Sequence, residues 1–172
     1  MNKAIVKKVL VLLPLVAGVG AAVITWASPA ANVTPTLHAR GSYDSFKVKS
    51  EDTALGVDFR ARNPVDIIVR EHDYAATTGE LITTTGWHTH PGPVFITVVE
   101  GTLTFYEYDD PSCTPHVLTA TETFKPGYVD TGHGHMVRNE TGQPARDMTV
   151  ILAPPGAGFR GELAAPNSYC GF

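Results

Sequence analysis

Charge is scarce in this chain: only 17% of its 172 residues are Asp, Glu, Lys or Arg. Lys3, Lys7 and Lys8 are the only ionised side chains before Arg40. Setting residues 1–30 aside leaves 10 basic against 17 acidic residues, a net charge of −7 in place of −4. Phosphate binding needs clustered Lys and Arg, so a nucleic-acid partner is excluded as the default. Cysteine is nearly absent, with Cys113 and Cys170 alone and no CxxC, which disfavours thiol redox chemistry and a Cys-based zinc site. No Gly-rich phosphate loop or Walker sequence occurs, and Ser42, Ser45 and Ser50 stand in no nucleophile-elbow context. Beyond residue 30 no window carries a 3.6-residue apolar repeat over three turns, and there is no internal repeat or low-complexity tract. What is abundant is apolar side chains, at 43%, and turn formers, with Gly and Pro making 29 of 172 positions. That balance fits a folded, turn-rich β domain better than disorder or a helical bundle.

The one long apolar run lies at the N-terminus. Val9 to Trp26 is eighteen residues without a charge, preceded by the three lysines. It reads as an export signal, with small residues at Ser28 and Ala30 before a cut after Ala30, or as a single membrane anchor if it is retained. With the positive residues on the N-terminal side, the rest of the chain faces away from the cytoplasm. The expected location is therefore secreted, periplasmic or cell-surface. An even cysteine count outside the cytoplasm favours a Cys113–Cys170 disulfide, which would tie down the C-terminal tail.

After a short linker over residues 31–40 the chain reads as short extended segments. These are Asp66–Glu71, Val94–Val99, Gly101–Glu107, Thr119–Phe124, Met136–Asn139 and Met148–Leu152. Turn signals such as Thr78-Gly79, Pro91-Gly92-Pro93, Glu100-Gly101, Pro126-Gly127 and Pro154-Pro155-Gly156 separate them. Short strands at this spacing predict an antiparallel sandwich or barrel.

Four of the seven histidines fall in two pairs, His88-Thr89-His90 and His133-Gly134-His135. In a strand, residues i and i+2 project from the same face, so His-x-His presents two imidazoles to one point. Imidazole nitrogen ligates zinc, iron, nickel, copper and manganese. The stretch from Gly86-Trp-His88-Thr-His90 through Val94–Val99 to Glu100-Gly101 resembles the first motif of the cupin superfamily. Asp130-Thr-Gly132-His-Gly-His135-Met-Val-Arg-Asn139 resembles the second, with Asp130 where the proline of that motif would stand.

The resemblance implies an all-β fold, a double-stranded β-helix (jelly-roll) barrel preceded by the N-terminal hydrophobic export or anchor helix. It divides the chain into residues 1–30, signal or anchor; 31–64, linker and N-terminal strands; 65–155, the cupin domain; and 156–172, a C-terminal tail. Carried over by motif, His88, His90 and His135 would ligate a divalent metal (Fe, Mn, Ni or Zn). His133 could add a fourth nitrogen if it shared a strand face with His135. The sequence departs from the family where most metal-binding members place a glutamate four to six residues after the second histidine: here stand Val94, Phe95 and Ile96. A three-histidine site leaves positions open for water or substrate, whereas a barrel mouth of hydrogen-bonded histidines would bind ligands without metal. The expected ligand or substrate is a small molecule, handled either by a non-catalytic binding module or by an oxygenase, isomerase or lyase. No catalytic base is identifiable, membrane contact is limited to an uncleaved N-terminus, and a homodimer stays open. His72 and His116 read as solvated, Trp87, Phe95 and Phe105 as barrel lining or core, Asn139 as a strand-holding hydrogen bonder, and Arg138 as facing away from His135.

Overall fold

The computed structural model describes residues 28–52, 54–166 and 170–172. The expected export or anchor segment therefore lies, apart from Ser28–Ala30, outside the described residues. The described chain is built of strands: β1 (Val33–Tyr43), β2 (Phe46–Lys49), β3 (Asp58–Ala61), β4 (Val65–Tyr74), β5 (Thr83–Thr84), β6 (His88–Thr89) and β7 (Val94–Glu100). These are followed by β8 (Thr102–Glu107), β9 (His116–Thr119), β10 (Gly127–Asp130), β11 (His135–Asn139), β12 (Ala145–Ala153) and β13 (Gly161–Glu162).

Two sheets carry the architecture. One runs β1-β4-β12-β7-β10, the other β13-β6-β11-β8-β9, and β2 and β3 form a separate hairpin. From β4 onward the chain crosses between the sheets at each successive main strand, except at the β8–β9 hairpin. The eight strands β4, β6, β7, β8, β9, β10, β11 and β12 thus interleave as first-eighth-third-sixth against second-seventh-fourth-fifth, which is the jelly-roll order expected from the sequence.

Alternation along each strand decides what lies between the sheets. Ile68, Val94, Val98, Leu103, Phe105 and Ile151 are fully buried and belong to one core cluster. A second cluster, Trp87, Tyr106 and Met136, lies apart from this core, packed by Tyr108, Leu163, Cys113 and Cys170. The Cys113–Cys170 disulfide, with Cα atoms 5.4 Å apart, ties the C-terminal tail to this second cluster.

Four expectations need correction. Residues 31–40 are not a linker: Val33–Tyr43 pairs along β4 from Val33↔Tyr74 to Tyr43↔Val65. This edge strand has one neighbour and is largely exposed, so it carries no apolar alternation and accommodates Pro35. Thr119–Phe124 is not a strand, because pairing with β8 stops at Thr119. A turn follows, in which Phe124 N donates to Thr121 Oγ1 at 3.0 Å and Thr121 N donates to the Phe124 carbonyl at 2.9 Å. Phe95 is exposed rather than core, since Val94, Ile96 and Val98 take the inward positions of β7. His72 is not a solvated strand end: it sits within β4 with a half-buried ring turned to Asp147. Trp87 and Phe105 are buried as expected, and His116 is exposed at the start of β9.

Candidate metal centre

The strand register brings together the histidines that the sequence separates by 45 positions. His135 opens β11 directly opposite His88 of β6, and His90, two residues on, stays on the same side. The ring centroids stand 4.8 Å apart for His88 and His90, 4.6 Å for His88 and His135, and 5.3 Å for His90 and His135. One ligand nitrogen from each lies within 4.8 Å of the other two. His88 and His135 are buried and His90 is half-buried.

Of the groups beside the three Nδ1 atoms, Gly86 and Asp130 lie within the two motifs and Phe159 lies outside them. His88 Nδ1 is 2.8 Å from the Gly86 carbonyl, and His90 Nδ1 is 2.8 Å from the Phe159 carbonyl. A carbonyl only accepts, so each Nδ1 carries the proton and donates, leaving Nε2 as the free lone pair. His135 Nδ1 lies 3.2 Å from Asp130 Oδ2, a close charge contact that falls short of hydrogen-bond alignment. Gly86 can turn its carbonyl to His88 because it adopts a positive φ of 66°, and a Cβ there would lie 1.7 Å from the Ser28 carbonyl oxygen. Burial, then the neighbouring imidazoles, hold His88 well below the ordinary histidine range and bring His90 down to about 4. Both rings are therefore neutral near pH 7, the form that ligates.

Asp130 is a site residue that motif reading missed. It is 2% exposed, and its Oδ1 accepts the Gly132 amide at 2.8 Å. Burial works against its charge, but His135 beside it and that amide hold its carboxyl below the usual carboxylate range. The local signal was Asp-x-Gly, an Asx turn immediately before a histidine. His133 does not join the site. It is exposed and lies 3.1 Å from Asp109. Gly132 and Gly134, at φ of 102° and 91°, make this segment a turn rather than a strand, so the i, i+2 rule does not apply there. Ile96 lines the cavity six residues after His90, where the absent glutamate would be sought.

The cavity behind the imidazoles measures about 220 Å³. Its other polar walls include Arg70, His72 and Tyr74 from β4, Asp147 and Thr149 from β12, and Arg160 and Glu162 at β13. Asp147 is buried and held by three groups: His72 Nδ1 at 2.9 Å, Thr149 Oγ1 at 2.8 Å and Tyr74 Oη at 2.7 Å. Burial, reinforced by the Asp147 charge, pushes the Tyr74 phenol well above its ordinary range, so its proton stays on oxygen. A period-2 polar face, Arg70-x-His72-x-Tyr74 opposite Asp147-x-Thr149, was the available signal for these residues. Asn139 ties its own turn, donating from Nδ2 to the Ala75 and Gln143 carbonyls at 2.9 and 2.7 Å. Arg138 lies over the Phe172 ring, away from the histidines.

No protein-family model and no curated protein matches the chain. Among solved structures it is similar to the polyketide cyclase RemF from Streptomyces resistomycificus, at 18% identity, TM-score 0.47, covering 84% of this chain and 83% of that one. A cupin superfamily protein from Desulfitobacterium hafniense matches at 9% identity and TM-score 0.44, covering 74% of this chain and 83% of that one. A cupin domain from Bordetella pertussis matches at 15% identity and TM-score 0.42, covering 75% of this chain and 99% of that one. With the jelly-roll strand order and both motifs placed on facing strands of one barrel, this chain has the cupin fold.

Proposed function

We propose that this chain is an exported cupin-fold protein that binds one divalent metal through Nε2 of His88, His90 and His135, in a pocket that also receives a small molecule. The observation that carries the reading is the convergence of the three rings: His88 and His90 turn Nδ1 to backbone carbonyls and keep Nε2 free, and His135 brings a ligand nitrogen within 4.8 Å of theirs. Metal-ligating histidines are held in this way by carbonyls and carboxylates. Three protein ligands leave coordination positions open. A divalent ion there would supply Lewis-acid or oxygen-activating chemistry.

The chain's own residues would do the rest. Tyr74 keeps its phenolic proton and donates it to Asp147, and His72 is fixed by the same carboxylate, so this wall of the cavity is a fixed hydrogen-bonded network. Ile96 and Val137 provide apolar wall. The Cys113–Cys170 disulfide supports maturation in an oxidising compartment, as expected of an exported domain.

Elemental analysis of the purified full chain tests the reading. Near-stoichiometric Fe, Mn, Ni or Zn, removed by chelator and restored on adding the same ion, is the expected result; a chain that neither retains nor takes up any of the four refutes it. Asp130→Ala is expected to weaken metal affinity by about 10–100-fold, because His135 loses the partner that orients it. Competition against a chromogenic chelator measures this, and an unchanged affinity would show that Asp130 has no such role.

A further inference from the structure

The cavity contains two cations that the histidines do not use. Arg70 projects from the inner face of β4, between Ile68 and His72, and Arg160 enters from the segment just before β13. The Arg70 guanidinium lies 4.3 Å over the Phe159 ring, and among the described residues no carboxylate forms an ion pair with it. Arg160 Nη2 donates to Glu162 at 2.7 Å. The Nε of both arginines is buried and meets no acceptor among the described residues. A buried donor without an acceptor is costly to keep, so two of them on guanidinium groups that line one cavity point to an acceptor that enters it.

Charge argues in the same direction. Burial, then the like charge of Arg160, lowers the Arg70 pKa from its ordinary value, although arginine keeps its proton throughout. The negative groups facing this region are Asp147, saturated by three donors; Glu162, already on Arg160; and Asp130, behind His135. The two carboxylates that line the cavity are thus already bonded to other donors, and Arg70 is left without an ion-pair partner among the described residues. One short segment organises the whole arrangement: the Phe159 carbonyl holds His90, the Phe159 ring supports Arg70, and Arg160 follows it in sequence.

We propose that Arg70 and Arg160 anchor a small organic carboxylate, bound as a monoanion in the same cavity as the three histidines. The planar guanidinium fork matches a carboxylate. Asp147 on the same wall opposes a second negative charge, which disfavours a phosphate dianion. A volume of about 220 Å³ is below the ~300–1,000 Å³ typical of drug-sized ligands, so the molecule is small. The inference rests on the reading of this cavity as a small-molecule pocket.

Calorimetry and thermal shift on the full chain, both chelator-treated and Mn²⁺-loaded, test it with acetate, lactate and benzoate. Acetamide, lactamide, benzamide and inorganic phosphate serve as comparisons. At least one carboxylate is expected to bind at least tenfold more tightly than its amide, and more tightly than phosphate. Arg70→Gln and Arg160→Gln are each expected to weaken it at least tenfold without loss of metal content. Arg160→Gln keeps the test readable if Arg70→Gln does not fold. Equal binding of acids and amides, tighter phosphate binding, no binding in either form, or carboxylate binding that survives either substitution in a folded variant overturns the proposal. Metal content is measured separately. Arginine-dependent carboxylate binding by a chain that takes up no metal keeps this inference and defeats the metal reading; metal uptake without such binding does the reverse.

Discussion

A His88→Ala/His90→Ala variant is expected to retain no more metal than background, while a His116→Ala control retains as much as the parent. The two imidazoles supply two of the three nitrogens that converge within 4.8 Å, and His135 alone cannot hold an ion against solvent. The loss should exceed the about 10–100-fold that removal of an orienting partner costs, because here the ligands themselves are gone. His88 is 4% exposed, so its removal also leaves a cavity. Elemental analysis therefore has to be accompanied by circular dichroism, and His88→Gln, which preserves volume, gives a second variant for the same measurement. His116 is exposed at the edge strand β9 and serves as the control for loss of a histidine as such. Full metal occupancy in the folded double variant would remove these residues from the site.

Breaking the Cys113–Cys170 bridge is expected to lower stability by about 4 kcal/mol, from the loop entropy of a cross-link spanning 57 positions. For a domain of this size that corresponds to a fall in Tm of roughly 8–16 °C. The cost has a structural counterpart. Cys170 and Cys113 pack on Trp87, Tyr106 and Met136, and Phe172 stands edge-on to Tyr106 with ring centroids 5.1 Å apart. Releasing the tail uncovers this second cluster, so Trp87 fluorescence should shift to longer wavelength at temperatures where the barrel is still folded. A Cys113→Ser/Cys170→Ser variant and the reduced parent should behave alike in thermal unfolding. Intact mass should gain two alkyl adducts only after reduction. Unchanged Tm and unchanged emission in the variant would mean that the tail is held by packing alone.

Much of the barrel was legible because its strands are short, apolar and separated by Gly and Pro. Asp66–Glu71, Val94–Val99 and Met148–Leu152 fall inside β4, β7 and β12. The reading failed where burial does not depend on neighbours in sequence. Val33–Tyr43 is polar and exposed, yet it is a strand because the edge of β4 offers it hydrogen bonds. Val94–Val99 looked apolar on both faces, yet Phe95 points out to solvent.

His88 and His90 were readable as a pair because a strand's two-residue period is a local property of the backbone. His135 was tied to them only by its resemblance to a known motif, and it is the antiparallel register of β6 and β11 that sets it across from His88. The cysteine pairing rested on count and compartment, and the fold brings the two residues into contact. What the sequence alone determined was thus the strand period, the turn punctuation and the identity of the three histidines. Their tautomers and the rest of the pocket were decided by tertiary structure. The Phe159 carbonyl that accepts from His90 Nδ1–H lies 69 residues away, and Asp147 meets His72 and Tyr74 across 75 and 73. Such contacts follow from sheet order and register, which arise from many weak pairings summed over the whole barrel and are written in no single stretch of the chain.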